Sequence, residues 1–202
     1  MLTELLWGED GGGEFRLLAP VLSALSRAGK AIILVAPPYL VLAPALVQQG
    51  IDIRQILWVQ PEKTGDRLWA AEQILKSANA GALLCWLPQV RPDQLRRLQL
   101  AANGSEGVNF IFRPVDAQLE SSPAPLRLLC RPVPDAKISV EILKRRGPVA
   151  SAPIILATAL PPFMTKIQRL SSRSISSSMS ADVVDRALPA AAFARSRVST
   201  LA

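Results

Sequence analysis

Short apolar runs alternate with segments of helical periodicity through the first two thirds of this 202-residue chain. Each run is four to six residues long, and the run Ala31–Ala36 suits a strand that is buried on both faces. An alternation of this kind predicts right-handed crossovers and a mostly parallel sheet flanked by helices, an α/β fold. The predicted strands are Leu2–Trp7, Ala31–Ala36, Ile56–Val59, Ala82–Leu87 and Val108–Phe112.

Four helices are predicted between these strands, because apolar side chains recur there every three or four residues. Gly29 and Gly50 follow the first two helices, where glycine favours a helix end. The predicted helices are Leu17–Leu25, Leu42–Gln49, Asp66–Ala78 and Pro92–Asn103. In the last two, the side chains expected to face inward are Leu68, Ala71, Leu75, Ala78, Leu95, Leu98 and Ala102, and those expected to face outward are Arg96, Arg97 and Gln99.

The pattern changes after residue 120. Leu126–Arg131 and Ile138–Leu143 are joined by the turn-rich link Pro132–Asp135, which predicts a C-terminal antiparallel β-hairpin at one edge of the sheet. Beyond this hairpin the chain becomes rich in serine, as in Ser171–Ser178. We therefore expect a folded domain over residues 1–156 and a low-complexity, disordered tail over residues 157–202.

The composition excludes several kinds of chemistry. The chain has no histidine, so neither a Ser-His-Asp nor a Cys-His nucleophile can be built. Cys85 and Cys130 lie in separate apolar strands, where buried free thiols are the expected state, and neither a metal nor another cofactor is expected. No apolar run reaches the roughly 18 residues of a membrane span, and no signal peptide is visible, so a cytoplasmic protein is expected.

A glycine-rich turn between the first strand and the first helix has the spacing of a phosphate-binding P-loop. Gly8 and Gly13 occupy the two glycine positions. Glu14 stands where the lysine belongs, and Phe15 stands where the magnesium-binding hydroxyl belongs. A carboxylate would repel the phosphates, and Phe15 cannot bind Mg²⁺, so we expect a degenerate loop without a bound nucleotide. Glu9 and Asp10 add to this repulsion, and a simple flexible turn is the alternative interpretation.

Two further parts of a nucleotide hydrolase are absent. The strand that would end in the Mg²⁺-binding acid continues instead as Cys85-Trp86-Leu87-Pro88. The strand that would be followed by a water-activating carboxylate is followed by Ala36-Pro37-Pro38. These departures, with those of the turn, predict a protein that binds other proteins and is not an enzyme.

Several segments resemble known bacterial proteins of the SOS response. Gly50–Pro61, "GIDIRQILWVQP", is similar to the core of RecA, and the ImuA and SulA group of RecA-like proteins is closer still. The segments that carry this second resemblance are Leu2–Leu6, Arg97–Ala102, Gly107–Pro114 and Val140–Gly147. The resemblance covers roughly residues 1–156, and its "VEILKRRG" ending is more similar to ImuA than to SulA.

The resemblance implies a RecA-like fold and two alternative functions. ImuA proteins support error-prone translesion synthesis, which implies RecA, ImuB and an error-prone polymerase as partners. SulA proteins bind FtsZ and block cell division, which is the alternative. A true nucleotide-binding enzyme is a third hypothesis, and the residues Glu14 and Phe15 argue against it.

Exposed side chains are the candidates for partner contacts. Trp69 is the candidate interface anchor, with packing in the core as the alternative, whereas Trp58 and Trp86 are predicted to lie in the core. Two basic groups could meet an acidic partner or make a weak contact with DNA phosphates, although solvated surface positions are the alternative for both. The first strand is a further candidate, as an open edge of the sheet. The basic groups are Arg96 and Arg97 on the fourth helix, and Lys144, Arg145 and Arg146 after the last strand.

Overall fold

A mixed β-sheet with α-helices on both faces is the framework of the protein. The structure is a computed structural model that describes residues 1–8, 13–148 and 152–158. The strands are β1 (Leu2–Trp7), β2 (Ala31–Val35), β3 (Ile56–Val59), β4 (Ala80–Trp86), β5 (Val108–Pro114), β6 (Leu126–Val133), β7 (Lys137–Lys144) and β8 (Ile154–Ala157). The helices are α1 (Glu14–Arg27), α2 (Ala43–Gln48), α3 (Thr64–Ser77) and α4 (Pro92–Ala102), with short 3₁₀ helices at Ile53–Gln55 and Val115–Leu119. The predicted α/β class is therefore confirmed.

The strand order is β3-β2-β4-β5-β1-β6-β7-β8. From β3 to β6 all neighbours are parallel, and β7 and β8 are added in antiparallel fashion. The prediction that the first strand is an open edge is wrong, because β1 lies between β5 and β6. All six residues of β1 are buried. In a central position, the backbone of such a strand can also form hydrogen bonds with a neighbour on each side.

The C-terminal hairpin pairs as predicted, but it does not form the edge. β6 and β7 are antiparallel neighbours, with Cys130 opposite Val140. The four-residue strand β8 then pairs with β7 and takes the outer position. Its residues are all exposed, so β8 has no buried face and no alternating pattern by which it could be found in the sequence.

The opposite edge is β3, and this position overturns the prediction that Trp58 is a core residue. The side chain of Trp58 is 41% exposed, and its indole Nε1 donates to Gln60 Oε1 at 2.8 Å. A run such as Ile56–Val59 has the composition of a buried strand, but an edge strand has a neighbour on one side only. Trp86, on the inner strand β4, is buried as predicted.

The two faces of the sheet carry different helices. On one face, Leu18 and Leu22 of α1 and Leu46 of α2 pack against the sheet. On the other face, α3 and α4 pack against it and against each other. The inward residues predicted for α4 are confirmed, because Leu95, Leu98 and Ala102 are all buried.

The end of α3 differs from its predicted form. Ala78 was expected on the buried face, but it is exposed and lies one residue beyond the helix. Its backbone is left-handed, with φ 55°, so the chain has already turned away from the helical path. The predicted stripe of Leu68, Ala71 and Leu75 does face the sheet, with Leu68 only partly buried.

Candidate functional site

A cleft of about 390 Å³ lies where the parallel strands end. Every parallel strand from β1 to β5 contributes a residue at or just after its carboxyl end. In sheets of this kind, ligands bind in the crevice outside the carboxyl ends of the strands. The residues at these strand ends are Trp7, Ala36, Gln60, Trp86, Phe112 and Arg113.

The glycine-rich turn borders this cleft. Gly8 and Glu14 line it, and Gly13 between them has a φ of 121°, a conformation that favours glycine. The Glu14 side chain is buried, and its Oε2 accepts a hydrogen bond from the Gly13 backbone N–H at 3.1 Å. The first turn of α1 therefore presents a carboxylate to the cleft. Residues 9–12, which include Glu9 and Asp10, lie outside the described part of the chain.

Aromatic rings close the inner wall of the cleft. Trp86 stacks on Phe112, with ring centroids 4.5 Å apart and an interplanar angle of 12°. Phe15 approaches the other side of this group, with its centroid 6.0 Å from that of Trp86. Phe15 stands where a P-loop carries its magnesium-binding hydroxyl, and Trp86 lies in the strand that would end in the magnesium-binding acid. The two rings contact each other. This arrangement is apolar and offers no magnesium ligand from Phe15 or Trp86.

A buried ion network lies directly behind the cleft. Glu4, at the centre of β1, accepts from Arg113 on one oxygen at 3.0 Å and from Arg127 on the other at 2.7 Å. Arg113 also pairs with Glu120 at 2.8 Å, and Arg127 donates to the carbonyl of Ala117 at 2.7 Å. The network joins β1, β5 and β6 to the loop that follows β5.

Sequence reasoning did not single out this network. The available signal was Glu4, a charged residue inside an otherwise apolar predicted strand. A buried carboxylate needs a cationic partner, so an arginine on a neighbouring strand could have been anticipated. Which arginine it would be depends on strand order, which the sequence pattern leaves open.

The basic candidates are separated in the structure. Arg96 and Arg97 are exposed on α4, and Arg97 pairs with Glu72 of α3 at 2.5 Å. Lys144 Nζ donates to the carbonyl of Ser122 at 2.7 Å, so it is partly held against the protein. Arg145 and Arg146 are exposed beyond β7, where Arg145 Nε donates to the carbonyl of Pro148. A role of these residues in partner binding stays a prediction.

Among the described residues, exposed apolar side chains are found on α3, along the segment 40–58 and on β8, where Ile154, Ile155 and Leu156 are all exposed. On α3, Trp69 is 65% exposed and borders a groove shared with Arg97 of α4. The second surface is the β3 margin, which we define as the exposed apolar residues of the segment 40–58. Its members are Leu40, Leu42, Val47, Ile53, Leu57 and Trp58. Clusters of exposed apolar side chains are characteristic of protein-binding surfaces.

Both cysteines are free and buried, as predicted. Burial raises the pKa of the Cys85 thiol to about 12, while the charge of Arg67 acts in the opposite direction. Burial also raises the pKa of Cys130 to about 12, and the Glu14 carboxylate adds to this effect. Both side chains are therefore neutral thiols at physiological pH.

Within residues 1–8, 13–148 and 152–158, no group of three or more histidine, cysteine, aspartate or glutamate side chains is arranged to hold a metal ion. In that part of the chain, no helix is both long and apolar enough to cross a membrane.

The fold and the cleft define an α/β protein with a mixed eight-stranded sheet and an aromatic, carboxylate-bearing cleft where the parallel strands end. No protein-family model matches the chain. The chain is 26% identical over 116 residues to the cell division inhibitor SulA of Yersinia pestis (strain Pestoides F), covering 57% of this chain and 69% of that protein. SulA of Yersinia pseudotuberculosis serotype O:1b (strain IP 31758) matches equally.

A solved structure with the same description is also similar. The crystal structure of SulA from Pseudomonas aeruginosa aligns with a TM-score of 0.47 and 23% sequence identity, covering 56% of this chain and 97% of that one. The Yersinia relatives support the SulA side of the predicted resemblance. They do not support the ImuA side, on which the translesion reading depends.

Proposed function

We propose that this chain is a non-catalytic cell division inhibitor of the SulA type and that it acts by binding FtsZ. The observation that carries the proposal is the 26% identity over 116 residues to proteins described as cell division inhibitors. FtsZ enters through the resemblance to SulA proteins. A cytoplasmic location belongs to the same proposal.

The geometry of the cleft agrees with a role outside catalysis. A buried carboxylate begins α1, and stacked rings occupy the strand ends where a nucleotide hydrolase carries its acids. We propose on this basis that the fold is RecA-like with a degenerate P-loop. What supports this proposal is that β1, Gly13 and α1 follow one another in the order of a P-loop strand, turn and helix, with Glu14 at the position of the lysine.

The β3 margin and the Trp69 face of α3 are the proposed contact surfaces. Among the described strands, β3 has a neighbour on one side only, and its Leu57 is 57% exposed. Trp69 provides a large apolar side chain beside the charged pair of Glu72 and Arg97. Tryptophan and arginine are enriched among the residues that dominate binding energies. Arg96, Lys144, Arg145 and Arg146 are proposed only as peripheral contacts, which affect association rate more than affinity.

The translesion reading has less support. It depended on the "VEILKRRG" segment, which the structure shows as the end of β7 and the residues after it. Exposed basic residues just after the end of a strand are common in proteins of many functions. RecA, ImuB and the error-prone polymerase are therefore the partners whose capture would revive this reading.

The test is a direct binding and assembly assay. Purified full-length chain is added to FtsZ with GTP, and polymer is measured by light scattering and sedimentation. We expect the chain to bind FtsZ and to reduce the amount of polymer in a dose-dependent way. A parallel capture from DNA-damaged cells would contradict the proposal if it recovers RecA, ImuB or the polymerase but no FtsZ.

Matched variants locate the contact. Leu57→Lys places a charge on the β3 margin, and Trp69→Ala truncates the side chain on α3. Leu119→Lys is the control, because Leu119 is 89% exposed and lies in the 3₁₀ helix after β5. We expect at least one of the first two variants to weaken FtsZ binding by about tenfold or more, and the control to bind normally. Unchanged binding in both would remove these two surfaces from the proposal.

A further inference from the structure

A groove of about 500 Å³ runs beside the edge strand β8. It lies on the side of β8 away from β7, because Leu156, Ala157 and Thr158 line it and no residue of β7 does. Successive side chains of a strand point to opposite faces, so a groove that touches both Leu156 and Ala157 follows the free edge of the strand. The opposite wall is formed by α1, together with Gln48 and Gln49 at the end of α2.

β8 lacks the features that usually protect an edge strand. Edge strands of native proteins commonly carry a lysine, a proline or a bulge that prevents pairing with another chain. The four residues of β8 include no charged residue and no proline, and Ile154, Ile155 and Leu156 are exposed. Every second residue of a strand directs its N–H and C=O groups to the same side, and no described strand pairs with the outer side of β8. This edge can therefore accept a further strand.

Two arginines give the groove a positive charge. Arg16 and Arg27 lie in its α1 wall, about three helical turns or roughly 16 Å apart along the axis. No acidic side chain is among the described residues that line the groove, and neither arginine forms an ion pair with a described residue. A Cβ atom on Gly13 would lie 2.9 Å from Arg16 Nη2 and 3.3 Å from Ile138 Cδ1. The Arg16 guanidinium is thus close to Ile138, the residue that pairs with Leu156 of β8.

The edge and the charge together select an extended acidic segment. A strand that pairs with β8 in this groove directs every second side chain to the same face. Acidic side chains four residues apart in such a strand lie about 13 Å from each other, a spacing that two arginine side chains on one helix can match. Main-chain hydrogen bonds then supply affinity, and the carboxylates supply specificity.

Other occupants fit these features less well. A nucleic acid backbone has acceptors only, so its phosphates would leave the outer C=O groups of β8 unpaired. A second copy of the chain has the wrong charge, because the formal net charge is +7. The same holds for the chain's own residues 159–202, which contain six lysine and arginine residues against two aspartates.

We propose that the groove between β8 and α1 binds an acidic, extended segment of a partner protein, which adds to the sheet beside β8 and pairs its carboxylates with Arg16 and Arg27. This site is additional to the proposed FtsZ contact and does not depend on it. None of the residues that line the groove belongs to the β3 margin or to the Trp69 face of α3. Loss of one binding activity therefore leaves the other measurable.

A titration of the full chain into a fluorescein-labelled peptide, followed by fluorescence anisotropy, tests the proposal. The probe is the capped peptide Thr-Glu-Val-Thr-Val-Glu-Thr, whose two glutamates lie on one face of the extended chain. We expect saturable binding that weakens as salt is added, because ion pairs at a surface are screened. In the proton–nitrogen NMR spectrum of the full chain, the peptide should shift the backbone amide signals of Ile154–Ala157.

Two control peptides separate strand pairing from charge recognition. The first has lysine in place of both glutamates, and we expect no measurable binding. The second has N-methyl groups on two successive central amides, so one methyl group faces β8 whichever edge of the peptide pairs. We expect this peptide to bind about tenfold more weakly or worse, because a backbone hydrogen bond is lost and the strand is held away.

Arg16→Gln and Arg27→Gln test the carboxylate contacts. We expect each to weaken binding of the glutamate peptide by about two- to fivefold, the effect of an exposed ion pair. Arg96→Gln, on α4 at the other face of the sheet, is the matched control with unchanged affinity. The double variant Arg16→Glu with Arg27→Glu should prefer the lysine peptide to the glutamate peptide, a reversal that an unfolded variant cannot produce.

Several outcomes would overturn the proposal. Equal binding of the lysine and glutamate peptides would show an apolar edge without charge recognition. Equal binding of the N-methylated peptide would show that no strand pairs with β8. Tighter binding of single-stranded DNA than of the glutamate peptide would assign the arginines to a nucleic acid, and a dimer of the chain that excludes the peptide would assign the edge to a second copy. A full chain without saturable binding of the glutamate peptide would reject the site altogether.

Discussion

Glu4 shows how one residue ties together distant parts of the chain. Its carboxylate is fully buried in β1 and bonded to Arg113 and Arg127, which come from β5 and β6. A pair of this kind is only weak evidence of net stabilisation, since burying the charges is itself costly. Removing one member has a larger effect, because it leaves the opposite charge buried without compensation.

We predict that Glu4→Gln lowers the free energy of unfolding by about 3–5 kcal/mol. The substitution keeps the size of the side chain but leaves Arg113 and Arg127 without their shared counter-charge. Urea unfolding followed by circular dichroism measures the change. Glu106→Gln, at an exposed position, is the matched control and should change stability by less than about 0.5 kcal/mol. A small effect at Glu4 would mean that the network is dispensable for folding.

The cysteines provide a second prediction for single residues. Because burial raises the pKa of Cys85 and of Cys130 to about 12, almost no thiolate is present at pH 8. We expect iodoacetamide to leave both thiols unmodified in the folded protein and to modify both in urea. Mass spectrometry after a timed exposure counts the adducts. Rapid labelling without denaturant would show that one of these strands opens in the native state.

Among the elements, α3 has the most unusual end. Ala78 follows the helix with φ 55° and ψ 9°, a left-handed conformation that is costly for a residue with a Cβ atom. Glycine is the residue that helices prefer at such an end. The Asp66–Ala78 prediction continued the helix by one residue because Ala78 follows Ala71 and Leu75 at helical spacing, and nothing in the local pattern indicated the turn.

We predict that Ala78→Gly raises the free energy of unfolding by about 0.5–1 kcal/mol. Relief of the left-handed strain exceeds the added flexibility of glycine in the unfolded chain. The matched control is Ala70→Gly, inside the same helix, which should lower stability by about 1 kcal/mol. Thermal and urea unfolding of the two variants decide the sign. A loss of stability in both would show that Ala78 is not held in the left-handed conformation.

At the scale of the whole molecule, the two edge strands of the sheet are exposed. β3 at one end and β8 at the other each have a single neighbour among the described strands. The predicted domain limit at residue 156 lies within β8, which ends at Ala157. Thr158 follows it and donates to the carbonyl of Ala136 at 2.6 Å. The predicted tail beyond this point lies outside the described residues.

We predict that a chain ending after Thr158 keeps the unfolding free energy of the full chain to within about 0.5 kcal/mol, because all eight strands remain. A chain ending after Pro148 loses β8 and its ladder with β7. It should be less stable by at least about 1 kcal/mol, since several backbone hydrogen bonds are lost. Urea unfolding of the two truncations tests this. Failure of the first to fold would assign a structural role to residues 159–202.

The sequence by itself determined the kind and order of the elements. Apolar runs and helical spacing are local patterns, so they located β1 to β7 and α1 to α4, and they predicted the buried face of α4. The tertiary structure alone decided which strands are neighbours. Strand order depends on long-range packing and crossovers, which no single run encodes. For that reason the central place of β1, the exposure of Trp58 and the meeting of Glu4 with Arg113 and Arg127 became visible only in the folded chain.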